Sequence, residues 1–200
     1  MSSSDAPRRI AVLLSGRGSN FEAIADAVES GRIPRARIVA VISDVPEAAG
    51  LSRARQRGLP AHVVGRQSHA DRAVREAEIL AILEEARPDL ICLAGFMRLL
   101  SPEFVARHRG RILNIHPALL PKFPGLHAQR RALEAGEKVS GCTVHFVDAG
   151  TDTGPIVLQK SVSVLPGDTE ETLSARILEK EHEAYPEAVA RVLADLEKRA

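Results

Sequence analysis

The chain has 200 residues, 44% of them hydrophobic and 26% charged, and a net charge of +1. That is enough chain for one α/β domain with a full core, and so balanced a charge gives no reason to invoke nucleic acid or an anionic membrane surface. Aromatics at 3% leave little for base-stacking platforms, and the longest apolar runs, such as Leu90–Gly95, are strand-sized rather than membrane-spanning.

Residues 1–8 lack the apolar core of a secretory signal and read as a disordered tail ahead of one domain. Arg9–Leu14 (RIAVLL) is an unbroken apolar run, the pattern of a buried strand. The turn Ser15–Asn20 (SGRGSN) follows, then a helix over Phe21–Glu29 with Phe21, Ile24, Ala25 and Val28 on one face. Strand, glycine-rich turn and helix make a phosphate-binding arrangement, because glycines allow close backbone approach and helix-start N–H groups face the anion. Phe21 stands where a dinucleotide fingerprint needs its third glycine, which favours a monophosphate over NAD. The plainer alternative is a tight turn capped by Ser19 or Asn20.

Arg37–Ile42 is a second strand, and Asp44 after it takes a capping or loop role. Pro46–Arg57 reads as helix closed by Gly58, Ala61–Val64 as a third strand, and Ser68–Ala86 as a long helix ended by Pro88. Asp89–Ala94 is a fourth strand, and the loop Gly95–Leu100 after it is unusually apolar, either core or the wall of a pocket for a flat ligand. Ser101 caps a short helix with Pro102 in its first turn.

The next strand runs through Ile112–His116, where Leu113 and Ile115 alternate with Asn114 and His116. Alternation puts the amide and the imidazole on one face, and Pro117 ends the ladder. The pair therefore stands at the carboxyl end of a strand, where open α/β sheets bind ligands. An amide beside an imidazole can stabilise an oxyanion and move a proton. Val139–Val147 and Pro155–Val164 are strands whose short connection favours an antiparallel pair, with Thr143 and His145 on one face. The loop between them carries Asp148 and Asp152, either of which can meet His116, and such a neighbour raises an imidazole pKa. Thr169–Arg199 reads as helix, broken near Pro186 and capped by Asp168. Together the elements predict an α/β fold: a mostly parallel, Rossmann-like open sheet flanked by helices, with antiparallel strands toward the C-terminus.

Cys92 and Cys142 lie in apolar strand-like runs and read as buried, reduced thiols, which suits a cytoplasmic setting. No H-E-x-x-H or C-x-x-C spacing points to a metal, and without a G-x-S-x-G elbow a serine nucleophile has no support. His62, His69 and His108 read as surface residues, and His127 as support for its loop.

Five segments taken together are more specific: SGRGSN from Ser15, AGFMRLLSP from Ala94, NIHPALLPKFPGLHA from Asn114, GCTVHFVDAGTDTGPIVLQ from Gly141 and EKEHEAYP from Glu179. In this order, over about Arg9 to Val189, they resemble the folate-dependent formyltransferases. The resemblance implies formyl transfer from 10-formyltetrahydrofolate, a co-substrate, to the primary amine of glycinamide ribonucleotide in purine synthesis. It implies no metal, no nucleic-acid or membrane partner, and a monomer or homodimer. By position, Asn114, His116 and Asp152 match the catalytic trio, which selects Asp152 over Asp148. Gly18, Ser19 and Asn20 match the phosphate turn, and Glu181 a carboxylate holding the substrate's amine end. Arg72, Met97, Arg98, Leu99 and Leu100, with Asn114, match folate contacts. Relatives commonly carry glycine where Thr153 stands.

Rival expectations are formyltetrahydrofolate hydrolase, methionyl-tRNA formyltransferase and a non-catalytic nucleotide-binding module. The hydrolase usually adds an amino-terminal domain and has no evident use for a phosphate turn. The tRNA enzyme usually adds a carboxy-terminal extension and a basic surface. A pure binder has no need of the trio.

Overall fold

Strand β1 (Arg8–Leu14) shows why the sheet is apolar on both sides: Ile10, Val12 and Leu14 enter one core, Ala11 and Leu13 the other. The computed structural model describes residues 6–65 and 71–198. Among these, β1 joins β2 (Ala36–Ser43), β3 (Ala61–Val63), β4 (Leu90–Leu93), β5 (Ile112–His116), β6 (Val139–Phe146) and β7 (Ile156–Ser163) in one sheet ordered β3-β2-β1-β4-β5-β6-β7. The pairs from β3 to β5 are parallel, and β5·β6 and β6·β7 are antiparallel. Helices α1 (Ser19–Glu29), α2 (Ala49–Gln56) and α6 (Glu170–Glu197) cover one face through residues such as Phe21, Leu51 and Ile177. Helices α3 (Arg72–Ala86) and α4 (Pro102–Arg107) cover the other through Ile79, Leu83 and Phe104, and α5 (Ala128–Glu134) precedes β6. No helix among the described residues is long and apolar enough to cross a membrane.

The winding reverses between β1 and β4, so a crevice opens at the carboxyl ends of those strands. Two bonds stitch its walls: Ser15 N–H donates to Gly95 O at 3.0 Å, and Met97 N–H to Ser15 Oγ at 2.8 Å. Below the crevice the buried Tyr185 hydroxyl lies 3.0 Å from both Leu93 O on β4 and Leu113 O on β5.

Several expectations need correction. Arg8 already belongs to β1, paired with Ala36 and Asp89, so the ordered chain starts earlier than residue 9; residues 1–5 of the expected tail lie outside the described residues. Helix α2 begins at Ala49, after Val45–Ala48 close a turn (Ala48 N–H to Val45 O, 3.2 Å). Helix α3 is capped by Asp71, whose side chain accepts from Ala73 N–H, while His69 and the rest of 66–70 are outside the described residues. Thr169, not Asp168, caps α6, in a reciprocal box with Thr172; Asp168 backs it by accepting from Thr172 and Arg176. Helix α6 runs through Pro186 unbroken, because Ala184, Tyr185, Ala188 and Val189 around it are pinned in the core. His108 is buried against Phe104 at 5.1 Å, and burial pushes its pKa down. His62 is half-buried in β3, and His127 is exposed at the head of α5 with no capping bond. Both cysteines are free and buried.

Candidate active site

The β5·β6 register sets Asn114 opposite His145 and His116 opposite Thr143, so four polar side chains meet at one strand end. Asp152 reaches them from the β6–β7 loop with a left-handed backbone, φ 56°, which aspartate tolerates better than bulkier residues. Its Oδ2 lies 3.2 Å from His116 Nδ1 and accepts from Gly125 N–H at 2.8 Å. Its Oδ1 accepts from Asn114 Nδ2 at 3.4 Å and lies 3.4 Å from His145 Nε2. Asp148 instead accepts from Gly150 N–H and the Thr153 hydroxyl, closing the loop on itself. Thr153 thus serves as a loop staple.

Burial alone would raise the Asp152 carboxyl, but hydrogen bonds from His145 and Gly125 and the nearby His116 outweigh it and hold Asp152 at about 2. For His116 the balance tips the other way. The expectation of a raised pKa is overturned: burial lowers it, and Asp152 and the Phe123 carbonyl offset this only in part. The ring faces an acceptor at each nitrogen, with Nε2 2.8 Å from Phe123 O. Neutral imidazole has one N–H and satisfies one acceptor; the imidazolium satisfies both. The arrangement is a base that gains stabilising partners on both sides as it takes up a proton.

The loop after β5 is tied to β6 and β7. Thr143 Oγ1 donates to Ala118 O at 2.6 Å and accepts from Leu120 N–H at 3.0 Å, and Gln159 Nε2 donates to Leu120 O at 2.9 Å. At the other wall, Gly18 rather than Ser19 or Asn20 opens α1, with φ 77° and no side-chain cap. A β-carbon on Gly18 would lie 2.5 Å from Gly50 Cα, so glycine there allows the close approach of two backbones. The first N–H groups of α1 have no partner within the helix, a donor set of the kind that can receive an anion. The Asn20 side chain points elsewhere: buried, it donates to Glu181 Oε2 at 2.7 Å, and burial raises Glu181 to about 7 against that bond.

Arg72, Met97, Arg98, Leu99 and Leu100 line one cavity of about 290 Å³ beside the crevice. Met97 and Leu99 are 69% and 71% exposed while Phe96 and Leu100 pack against the core, so the apolar loop is at once a cavity wall and an edge of the core. Arg72 and Arg98 are each held through Nε by a carboxylate, Glu76 at 3.0 Å and Asp44 at 2.7 Å. Asp44 therefore anchors a guanidinium instead of capping a helix.

Reading the chain missed His145, Asp44, Ser15 and the backbone groups of Phe123 and Gly125. Alternation places His145 on the correct face of β6; only the antiparallel register reveals that this face meets Asn114.

The formyl transferase family model matches residues 8–189. The chain is 46% identical over 177 residues to phosphoribosylglycinamide formyltransferase of Escherichia coli, covering 88% of this chain and 83% of that one. It is 54% identical over 187 residues to the trifunctional purine biosynthetic protein adenosine-3 of Drosophila melanogaster, covering 93% of this chain but spanning only 14% of that protein. The crystal structure of glycinamide ribonucleotide transformylase 1 from Symbiobacterium toebii superposes with a TM-score of 0.89 at 50% identity, over 94% of this chain and 87% of that one.

Proposed function

This chain belongs to the formyl transferase family, and we propose that it moves the formyl group of 10-formyltetrahydrofolate to the primary amine of glycinamide ribonucleotide, a cytoplasmic step of purine synthesis. The observation that carries this reading is Asp152 bonded to both His116 and Asn114 at the carboxyl end of β5. At the same end of the sheet, α1 starts after β1 and the loop after β4 lines a cavity with two guanidinium groups, which suits a phosphorylated acceptor and a carboxylate-bearing donor.

The amine lone pair attacks the formyl carbon, and the carbonyl electrons move onto oxygen. Asn114 offers the oxyanion an amide hydrogen. His116 takes the proton shed by the amine and delivers it to the departing folate nitrogen as the old C–N bond breaks and the carbonyl reforms. Asp152, ionised throughout, steadies the imidazolium in between. Gly18, Ser19 and Asn20 hold the phosphate through backbone N–H groups, and Glu181 faces the amine end. Arg72, Arg98 and the Met97–Leu100 loop hold the folate. This chemistry asks for no covalent enzyme intermediate and no metal.

The test is folate absorbance in purified protein given 10-formyltetrahydrofolate with and without glycinamide ribonucleotide. Turnover only with the ribonucleotide is expected. Turnover without it makes the chain a hydrolase, and none in either case makes it a binding module.

A further inference from the structure

Phe123, Pro124 and Gly125 form the turn whose backbone touches the His116–Asp152 pair: the Phe123 carbonyl lies 2.8 Å from His116 Nε2, and the Gly125 N–H donates to Asp152 Oδ2 at 2.8 Å. The turn is strained, because Phe123 has φ 54°, in the left-handed region that a bulky L-residue avoids. Arg131 grips it from outside. Its Nη1 donates to Pro124 O at 2.6 Å, and its Cζ lies 5.6 Å above the Phe123 ring. Arg131 stands in mid-α5, which is itself seated by buried Ala128 and Ala132 and by the Arg130–Glu170 ion pair to the start of α6.

We propose that Arg131 is a positioning residue for the His116–Asp152 pair: holding ring and carbonyl of the turn keeps one backbone carbonyl on the imidazole and one backbone N–H on the carboxylate. Arg131 touches no reacting atom; it acts through Phe123, Pro124 and Gly125. Its role in turnover rests on formyl transfer as proposed above, whereas its grip on the turn does not.

Two influences of Arg131 on His116 oppose each other, and that makes the idea testable by sign. The charged or titratable groups facing His116 are Asp152, His145 and Arg131 itself. As a nearby cation, Arg131 disfavours the imidazolium; as the holder of the Phe123 carbonyl, it favours it. Arg131→Met removes both. The His116 ring is followed by NMR titration in ligand-free protein, with hydrogen exchange at the Gly125 amide. If the grip matters more, the His116 pKa falls by about half a unit although a positive charge has been removed, and Gly125 exchange accelerates about tenfold. A rise, or no change, overturns the proposal. Phe123→Leu takes the ring from beneath the guanidinium without altering any charge, and is expected to lower His116 in the same direction; an unmoved His116 there also counts against the grip. Arg131→Lys, which keeps a cation able to reach Pro124 O, should restore most of the difference. These readings need no substrate, so their failure is distinguishable from failure of the turnover assay.

Discussion

Asn114 Nδ2 carries two hydrogens, and only one is directed at Asp152. The same nitrogen lies 3.3 Å from His145 Nε2, a contact that an oxyanion can take over, so Asn114→Ala should cost roughly 100- to 1,000-fold in kcat with folding intact; near-normal turnover in a folded variant would remove Asn114 from the mechanism. Asp152 is the counter-charge that partly offsets the burial of His116. Asp152→Asn should therefore lower the His116 pKa further, read by NMR titration, and cut turnover on the order of 100-fold. An unmoved His116 would show that the pairing carries little energy. At this scale the sequence was informative where the physics is local. Alternation alone placed Asn114 and His116 together. It left Asp148 and Asp152 open, because their difference lies in a left-handed backbone and a Thr153 hydroxyl that spends itself on Asp148. His108 was misread because burial by a neighbouring helix turn leaves no mark on its own residue type.

Between elements, the Asn20–Glu181 bond joins α1 to α6. Glu181 ionises near 7 when folded, against 4.5 ordinarily. A carboxyl whose folded pKa lies above its unfolded one holds its proton more tightly in the folded state. Its contribution is full below about pH 4.5, declines as pH rises toward 7, and levels off above. Glu181→Gln keeps an acceptor for Asn20 without the charge. It should be more stable than the parent at pH 8 by on the order of 3 kcal/mol, with the gap closing near pH 4; urea midpoints at the two pH values measure this. A gap independent of pH would mean that Glu181 is not held neutral by burial. The same glutamate should be needed for the acceptor, so the stabilised variant is expected to show a raised KM for the ribonucleotide. The strands were legible to within a residue or two, β1 and β4 as apolar runs buried on both faces and β5 by its alternation. Helix starts were less so: Ser101 with Pro102 opens α4 as expected, but Asp71 and Thr169 cap through side chains, Gly18 through backbone, and Pro46 lies in a turn rather than opening a helix. Pro186, expected to break α6, is carried inside it because tertiary packing outweighs one lost backbone bond.

Across the whole molecule, the parallel-then-antiparallel sheet is what lets distant residues converge. Parallel strands deliver the Ser15–Asn20 turn, the Gly95–Leu100 loop and the Asn114–His116 pair to one end, and the antiparallel return of β6 brings His145 and then Asp152 back to it. Sequence order and element type predicted that sheet; the register that completes the site is a product of packing and could not be read off any one segment. The same sheet has a fulcrum. Tyr185 stands on α6 with its hydroxyl between the Leu93 and Leu113 carbonyls, two residues before the Gly95–Leu100 loop on one strand and one before Asn114 on the other. Helix α6 is thereby bolted to the ends of both β4 and β5, so a tilt of α6 would carry the two strand ends with it. Tyr185→Phe unfastens that bolt at a cost of about 1 kcal/mol, and amide exchange at Ala94 and Asn114 should then quicken in step. Independent rates at those two amides would mean that the two strand ends already breathe separately.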